Sequence, residues 1–458
     1  MTVDLVVRGG TVVTSGGRMR GGVAISDGKV VAIASDETLP DAEQTIDASG
    51  RYVLPGVINP HVHFREPGLE YKEDYTTGST AAVMGGVTAV IDMPNTKPPT
   101  STPEVVELKM RLVEEKAFCD IANFAVVVQE NIDQIPALAE AGVCGYKVFL
   151  GETIGQIPAP DDGALLDAFE LITKTGLRIG FHAENDQILQ HKIRQLKASG
   201  RTDALAHLES RPAICEAESI QRMALFASYT GTRIHIYHLS SRDGLEMIKE
   251  WRRKGVDITT ETGEHYTFLD APVDMPRLGP RLRMNPPIRS REHGEALFQG
   301  LLDGSIEAIG TDHSPHTREE KLNDDIWKAI SGFTSVETSL AVFLSMAVNT
   351  GRMTLEQLVR VSSEGPAKCW DLYPQKGALQ LGSDGDLTII DLDERWTIDE
   401  ASLHSKNNVT PFHGVEVQGR AVATIVRGNL VMQDGELLVD GPIGKPVYPN
   451  ARTPEMVA

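Results

Sequence analysis

Residues 56–64 read GVINPHVHF, an apolar run that ends in two histidines separated by one residue. Because side chains alternate between the two faces of a β-strand, His61 and His63 point to one side and Val62 points to the other. Two neighbouring imidazoles are suitable ligands for a transition metal. An HxH pattern also occurs by chance, so its meaning depends on the rest of the chain.

Seven later segments are also candidate strands, and nearly all of them are apolar runs that end in His, Lys, Asp, Asn or Glu. They read TAVIDMPN at 88–95, IANFAVVV at 121–128, GYKVFL at 145–150, RIGFHAE at 178–184, RIHIYHLS at 233–240, DITTETGEHY at 257–266 and IEAIGTD at 306–312. Helical segments separate the candidate strands, which favours a parallel α/β fold. We expect a (β/α)8 TIM barrel over residues 56–370, because that fold gathers its active site at the carboxyl ends of its strands. A doubly wound open sheet is the alternative, since periodicity does not report closure.

Both ends of the chain have β character without helices. Residues 1–55 contain short strands and an Asp-Gly hairpin signal, and similar strands return at 385–393 and 422–439. We therefore expect a small β-sandwich domain formed jointly by residues 1–55 and 371–458, on either side of the barrel in the sequence.

Composition limits the possible partners. The 458 residues are 41% hydrophobic, enough for a large enzyme domain and a smaller companion. A net charge of −20 disfavours nucleic acid and anionic membranes, which carry the same sign of charge. No stretch is long enough to span a bilayer, and the first residues lack the features of a secretory signal. The four cysteines lie far apart and form no CxxC pair: Cys119, Cys144, Cys215 and Cys369. This spacing argues against a disulfide framework or a thiolate zinc site, and it predicts a cytoplasmic protein.

Four further residues of ligand type or unusual charge end other strands. His182, His238 and Asp312 end the fifth, sixth and eighth candidate strands, so a closed barrel would bring them to the two histidines of the first. A single buried histidine is more often structural, but the joint placement favours a metal site. Lys147 ends the fourth strand. A dication would repel its ammonium group, so an ordinary surface lysine is the simpler interpretation of the residue by itself.

Several motifs together resemble the cyclic amidohydrolases, which are the dihydroorotases, allantoinases, hydantoinases and dihydropyrimidinases. The motifs are HVHFREPG at 61–68, MPNTKPP at 93–99, GYKVFL at 145–150, HAEN at 182–185, HLSS at 238–241, NPPIR at 285–289 and GTDHSPH at 310–316. The resemblance runs through the whole barrel and includes the divided β-domain. It implies that Lys147 is carboxylated by carbon dioxide and, as an anionic carbamate, bridges two divalent metal ions, usually zinc.

The same resemblance implies the remaining ligands and the reaction. His61, His63 and Asp312 would hold one metal, and His182 and His238 the other. A bridging hydroxide would attack the ring amide of a cyclic ureide or imide. Asp312 would be the general base that takes a proton from the attacking water and returns it to the departing ring nitrogen.

The motifs give mixed indications of the substrate. The segments around HVHFREPG, KEDYTTGS and MPNT look like dihydroorotase, where the residues matching Arg65 and Asn95 hold a substrate carboxylate and His316 matches another contact. Arg65 could instead form an ion pair with Glu66 or Asp74. Asn285 in NPPIR matches a position that contacts the ring amides, although Pro286 and Pro287 could make it a simple turn.

Later segments look more like allantoinase or hydantoinase. These are KVFLGETIGQIP at 147–158 and DDGALLDAF at 161–169. Glu152 stands where typical hydantoinases and dihydropyrimidinases place a tyrosine, and the role of His265 in TGEHY stays open. We therefore expect a five- or six-membered ring with a polar or acidic substituent.

Three other interpretations of the sequence are open. They are a hydantoinase or dihydropyrimidinase activity, a catalytically inactive scaffolding homologue, and another barrel hydrolase such as an amino-sugar deacetylase or a deaminase. All six ligand positions are filled, which argues against the scaffold. The resemblance further implies a homodimer or homotetramer with no partner beyond its small-molecule substrate.

Overall fold

The computed structural model describes residues 2–153 and 157–450. The chain begins with five strands: β1 (Val3–Thr14), β2 (Gly17–Ser26), β3 (Lys29–Ala34), β4 (Ala42–Asp47) and β5 (Tyr52–Pro55). Eight strands follow: β6 (Val57–Val62), β7 (Val87–Asp92), β8 (Asp120–Val126), β9 (Gly145–Phe149), β10 (Arg178–His182), β11 (Ile234–Ile236), β12 (Ile258–Thr262) and β13 (Ala308–Ile309). The last four are β14 (Leu387–Thr397), β15 (Glu416–Val426), β16 (Asn429–Gln433) and β17 (Glu436–Leu437).

Strands β6 to β13 form one parallel sheet in which neighbours in the sequence are neighbours in space. Its two edges meet just beyond β13, where Val62 and His313 form a parallel bridge and the His63 amide donates to the His313 carbonyl at 2.8 Å. Each of the eight predicted segments overlaps one of these strands, and no strand begins more than one residue before its segment. The prediction of a (β/α)8 barrel is therefore confirmed, and the open sheet is excluded.

Helices connect and cover the barrel strands. They are α1 (Tyr75–Met84), α2 (Pro103–Lys116), α3 (Ile135–Glu140), α4 (Asp162–Thr175), α5 (Asp186–Ala198), α6 (Ala204–Ser210), α7 (Ala213–Thr230), α8 (Arg242–Arg253), α9 (Glu264–Phe268), α10 (Ala271–Leu278), α11 (Arg291–Asp303), α12 (Arg318–Lys321), α13 (Ser339–Phe343), α14 (Leu355–Val359) and α15 (Gly365–Cys369). Short 3-10 turns lie at Gln129–Gln134, Gly279–Leu282 and Glu400–Ser402, and π turns lie at Leu344–Val348 and Arg360–Glu364.

Helix α8 illustrates how local sequence sets these elements. The Ser241 side chain accepts a hydrogen bond from the Gly244 amide and so satisfies a free N–H group at the helix start. Leu245, Ile248 and Trp251 are buried and share one face of the helix. None of the helices in the described part of the chain combines the length and apolar character that a membrane span requires.

The two ends of the chain form a single mixed sheet of nine strands. Its continuous path is β17-β16-β15-β14-β5-β1-β2-β3, and β4 pairs with β1. The ends join where β14 runs antiparallel to β5, with Leu387 opposite Pro55 and Ile390 opposite Tyr52. A β-domain built from both termini is thus confirmed. The boundaries 1–55, 56–370 and 371–458 stay a prediction.

A buried ion cluster ties this sheet to the barrel. Lys376 is 1% exposed, and its Nζ contacts Asp120 and lies 2.9 Å from Asp384 and 2.8 Å from Asp386. Asp120 begins β8 at the amino end of the barrel, whereas the other two carboxylates precede β14 of the terminal sheet. The three carboxylates therefore share the Lys376 ammonium group, and Arg427 and Lys29 further contact Asp120 and Asp384. We call Lys376 and the three aspartates the basal ion cluster.

Replacing Lys376 by methionine should destabilise the protein, because it leaves the three carboxylates without their shared cation. Removing one partner of a buried ion pair costs about 3–5 kcal/mol. We expect the urea unfolding midpoint to fall accordingly.

The matched control is Lys368→Met, which breaks an ion pair with Glu364 at a lysine side chain that is 54% exposed. Exposed pairs contribute about 0–1 kcal/mol. Equal unfolding midpoints for the two variants would contradict the role given to the basal ion cluster.

Candidate metal centre

The six residues predicted to face metal ions come together at the carboxyl end of the barrel. All are buried and line one cavity: His61, His63, Lys147, His182, His238 and Asp312. They come from β6, β9, β10 and the segments that follow β11 and β13. The closed sheet, rather than closeness in sequence, brings them to one place.

The first group consists of His61, His63 and Asp312. Asp312 Oδ1 lies 3.2 Å from His61 Nε2 and 3.0 Å from His63 Nε2. The opposite nitrogen of each ring has its own acceptor, since His63 Nδ1 lies 2.7 Å from Asn95 Oδ1 and His61 Nδ1 contacts the Glu261 carboxylate. With the ring protons on Nδ1, both Nε2 atoms present lone pairs to a carboxylate oxygen. A cation is the partner that such a set of atoms lacks.

Electrostatics at the first group favour positive charge. Burial opposes ionisation of His61, yet the charges of Glu261 and Asp312 raise its pKa above the ordinary value. Burial lowers the pKa of His63 to about 3, so this ring is neutral. Burial alone would raise the pKa of Asp312, but contacts with the two histidines hold it well below its usual range. Asp312 is therefore an ionised carboxylate.

The second group consists of His182 and His238. His182 Nε2 lies 2.7 Å from Glu184 Oε2, and because a carboxylate accepts, this nitrogen carries the proton. His182 Nδ1 then faces His238 Nε2 at 3.0 Å. Burial lowers the pKa of both rings, that of His238 well below its usual value. Two neutral imidazoles with facing nitrogens are a second place where a cation fits.

Lys147 is a buried amine without a hydrogen-bond partner among the described residues. Its Nζ lies 3.6 Å from the centre of the Tyr237 ring, which in turn packs against His61 and His238 at centroid distances of 5.0 and 6.4 Å. Burial lowers the pKa of Lys147 to about 7, against the opposing charges of Asp312 and Glu261. A surface lysine is excluded, and much of this amine is uncharged at neutral pH.

These donor sets fit two divalent metal ions. His61, His63 and Asp312 offer ligand atoms within 4.8 Å of one another, and the second histidine pair adds two nitrogens. Imidazole and carboxylate are suitable ligands for zinc.

Strained backbone also occurs at this cavity. Arg65, His238 and Asp312 have φ angles of 65°, 39° and 45°, in the left-handed region that side chains other than glycine rarely adopt. Such conformations cost about 1–3 kcal/mol each and cluster at functional sites. The three residues flank or belong to the two histidine groups.

The residues predicted to bind substrate are only partly assembled around the cavity. Arg65, Asn95 and Asn285 line it. His316 lies outside the lining, with its Nε2 3.1 Å from Arg65 Nη2 and its Nδ1 2.9 Å from the Lys72 ammonium group. His316 therefore supports Arg65 from outside the cavity lining.

Arg65 forms no ion pair with Glu66 or Asp74, the two acids considered as its alternative partners. Glu66 contacts Lys116 and Asp74 contacts Lys406. Burial lowers the pKa of Arg65 to about 10, which still leaves the guanidinium charged at neutral pH. A buried, charged guanidinium in the wall of the cavity is suited to an anionic or strongly polar group of a ligand.

Sequence reasoning missed several residues of this site. Glu184 lies within the HAEN motif but was given no role, although it joins His182 to Arg211. Glu261 is a single acidic residue in an otherwise uncharged strand, which was its only signal. Other lining residues that were not singled out are Phe149, Thr153, Met284, Ser314 and Ser331.

Other residues singled out by the motifs lie at the margin or away from the cavity. Arg289 is buried and donates to Ser240 Oγ at 3.0 Å and to the Arg211 carbonyl at 2.9 Å. His265 is buried and does not line the cavity. Within the KVFLGETIGQIP segment, the Glu152 carbonyl accepts from Arg211 Nη2 at 3.1 Å, and residues 154–156 lie outside the described residues.

Known proteins resemble this chain over nearly its whole length. Residues 52–431 match the sequence profile of the Amidohydrolase family. The L-hydantoinase of Paenarthrobacter aurescens is 37% identical over 446 residues, covering 96% of this chain and 97% of that protein. The allantoinase of Deinococcus radiodurans is 36% identical over 438 residues, covering 95% and 97%.

Solved structures of similar proteins also match this chain over nearly its whole length. The L-hydantoinase (dihydropyrimidinase) from Arthrobacter aurescens superposes with a TM-score of 0.95 at 37% identity, covering 98% of this chain and all of that one. The dihydropyrimidinase from Brevibacillus agri NCHU1002 superposes with a TM-score of 0.90 at 28% identity, covering 98% and 99%.

The Glu184 carboxylate should make stability depend on pH. Burial opposes its ionisation, but Arg211 and His182 lower its pKa from 4.5 to about 2 in the folded protein. The folded state thus binds this proton more weakly than the unfolded chain. The carboxylate stabilises the fold fully above about pH 4.5, and this stabilisation is lost as the pH falls toward 2.

We expect Glu184→Gln to be less stable than the unchanged protein at pH 7, by a margin that shrinks between about pH 5 and pH 3. Urea unfolding midpoints of the two metal-free proteins measure this margin. A margin that stays constant over the interval would contradict the assignment.

Proposed function

Because the chain belongs to the amidohydrolase family, we propose that it opens a hydantoin-type ring by hydrolysing a ring C–N amide bond with two zinc ions. The chain is a cyclic amidohydrolase of the allantoinase and hydantoinase type. The observation that carries the proposal is the meeting of His61 Nε2, His63 Nε2 and Asp312 Oδ1 beside the buried Lys147 amine.

The uncharged Lys147 amine is suited to carboxylation. Its nitrogen attacks carbon dioxide, an N–C bond forms, and one proton leaves the nitrogen. The carbamate that results is an anion, so the group that would repel cations becomes one that binds them. We propose that carboxylated Lys147 joins the first group of ligands to the second.

Hydrolysis of an unactivated amide at neutral pH needs a stronger nucleophile than water and a polarised carbonyl group, and two bound zinc ions supply both. Asp312 accepts the proton of the attacking water, which its strongly lowered pKa permits because the carboxylate is ionised. Asp312 then delivers this proton to the ring nitrogen as the C–N bond breaks. The ring-opened product carries both a carboxylate and a carbamoylated amine, and one proton is released to solvent.

The relatives favour a five-membered ring. Hydantoin and allantoin share one ring, and allantoin carries an additional ureido group. Arg65 and Asn95 would contact a polar or acidic substituent on that ring, supported from behind by His316, and Asn285 would contact the ring amides. The six-membered dihydropyrimidine ring is the second candidate, favoured by the fold similarity to dihydropyrimidinase.

We also propose a cytoplasmic homodimer or homotetramer. The four cysteines are free and buried, as expected for a protein in a reducing compartment. The resemblance to cyclic amidohydrolases is the basis for the oligomer.

Protein purified without chelator should contain about two zinc ions per chain and open hydantoin-type rings. We expect Lys147→Met to lose both zinc binding and ring opening, because the bridging anion cannot form. Metal analysis measures the bound zinc. Assays for the carbamoyl product measure ring opening of allantoin, L- and D-5-substituted hydantoins, dihydrouracil and dihydroorotate. Carbon-13 bicarbonate should give a carbamate signal in the unchanged protein alone.

The matched control is Lys174→Met in the last turn of α4, where a lysine is removed away from the cavity. This variant should keep zinc and activity. A zinc-free, inactive wild-type protein would instead support a scaffolding homologue.

Arg65→Met should lower kcat/KM for a hydantoin with an acidic substituent by about 10- to 100-fold, since a hydrogen bond to a charged group contributes about 1.5–3 kcal/mol. Unsubstituted hydantoin is the control substrate, because it has no group for the guanidinium to bind. An equal loss on both substrates would show that Arg65 has a structural role only.

A further inference from the structure

Glu261 is a buried carboxylate inside the barrel that the proposed mechanism does not use. It lies on β12, and its two oxygens reach residues from two other strands. Oε1 contacts His61 Nδ1, on β6, and Oε2 lies 3.4 Å from His235 Nε2, on β11. Oε1 is also 3.4 Å from the backbone amide of His238. One side chain therefore touches the first metal-facing group and the backbone of the second.

His235 is a second buried group without a role in the reaction. Its ring packs between Tyr237 and Trp370, each at a centroid distance of 4.9 Å. Its Nδ1 lies 2.8 Å from Thr259 Oγ1, which can donate to it. The ring proton then sits on Nε2 and faces Glu261 Oε2 across 3.4 Å, and neither of these two atoms has a hydrogen-bond partner among the described residues. The opposite tautomer would place a lone pair against a carboxylate.

We propose that Glu261 is a positioning residue that fixes the tautomer and orientation of His61 for metal binding, and that His235 holds Glu261 in place from inside the barrel. This inference rests on the proposed metal-dependent function. A carboxylate on the remote nitrogen of a metal-binding histidine selects the tautomer and makes the facing nitrogen a better ligand. The other supports, Asn95 on His63 and Glu184 on His182, each touch one ring of the site, whereas Glu261 joins both groups.

The burial of Glu261 explains why it needs His235. A carboxylate in the barrel interior has lost its water, so it requires compensation on each oxygen. His61 supplies this on one oxygen, and His235 is the group that faces the other. Without His235, the carboxylate could turn toward another donor and release His61 Nδ1.

The test compares Glu261→Ala, Glu261→Gln, His235→Leu and His235→Gln in the full-length protein. We expect Glu261→Ala to weaken zinc binding by about 10- to 100-fold, as substitution of such supporting groups does. Glu261→Gln keeps an acceptor for His61, so its zinc affinity should lie between those of the unchanged protein and Glu261→Ala. His235→Leu should weaken zinc binding, and His235→Gln, which keeps a donor near Glu261, should restore it. Zinc loss to a competing chelator measures the affinity.

A second measurement separates positioning from simple structural support. In the cobalt-loaded protein, a displaced His61 changes the visible absorption of the bound ion, whereas a loss of fold stability alone leaves it unchanged. Glu307→Gln is the matched control, because Glu307 precedes β13, contacts Arg252 and the Thr260 amide, and touches none of the metal-facing side chains. This control should leave both the spectrum and zinc retention as they are.

The outcomes are distinguishable. Folded Glu261→Ala protein with unchanged zinc retention and an unchanged cobalt spectrum would overturn the inference and leave the proposed function intact. Wild-type protein that binds neither zinc nor cobalt would overturn both. Should Glu261→Ala fail to fold, the pair His235→Leu and His235→Gln decides, since identical spectra for the two would overturn the inference.

Discussion

His61 Nε2 and His63 Nε2 lie 3.2 and 3.0 Å from Asp312 Oδ1, and both offer lone pairs to that oxygen when the ring protons sit on Nδ1. Their opposite sides are held by Glu261 and Asn95, so the rings cannot turn away to relieve this arrangement. Buried acceptors without donors are costly, and a cation is the group that offsets the cost for all three at once. The rest of the site is arranged around this requirement.

The barrel meets the requirement by separating its two ends. At the amino end, Lys376 and three aspartates form a closed ion cluster in which each charge has a partner. At the carboxyl end lie the acceptor atoms that face each other in the cavity. The amino end therefore holds charges that are paired within the protein, whereas the carboxyl end gathers the residues proposed to bind cations.

The fold and the meeting of the six ligand-type residues in one cavity could be predicted because their signals are local. An apolar strand that ends in a histidine, as at His61 or His182, is visible within a few residues, and parallel topology then fixes where such ends meet. Glu261 and His235 could not be found in this way, because the contact between Glu261 and His61 joins residues 200 positions apart. His316 shows the same limit: its motif predicts a substrate contact but gives no sign of its contacts with Arg65 and Lys72.

The proposed role of Lys147 depends both on its motif in the sequence and on its surroundings in the structure. As an ammonium ion it would oppose the very cations that the neighbouring acceptors require. Burial removes the water that stabilises its charge, and its pKa falls to about 7. The Tyr237 ring beside the amine also packs against His61 and His238, so this side chain contacts residues of both histidine groups. An uncharged amine at this point is able to react with carbon dioxide, and the reaction converts a group that would repel cations into an anion.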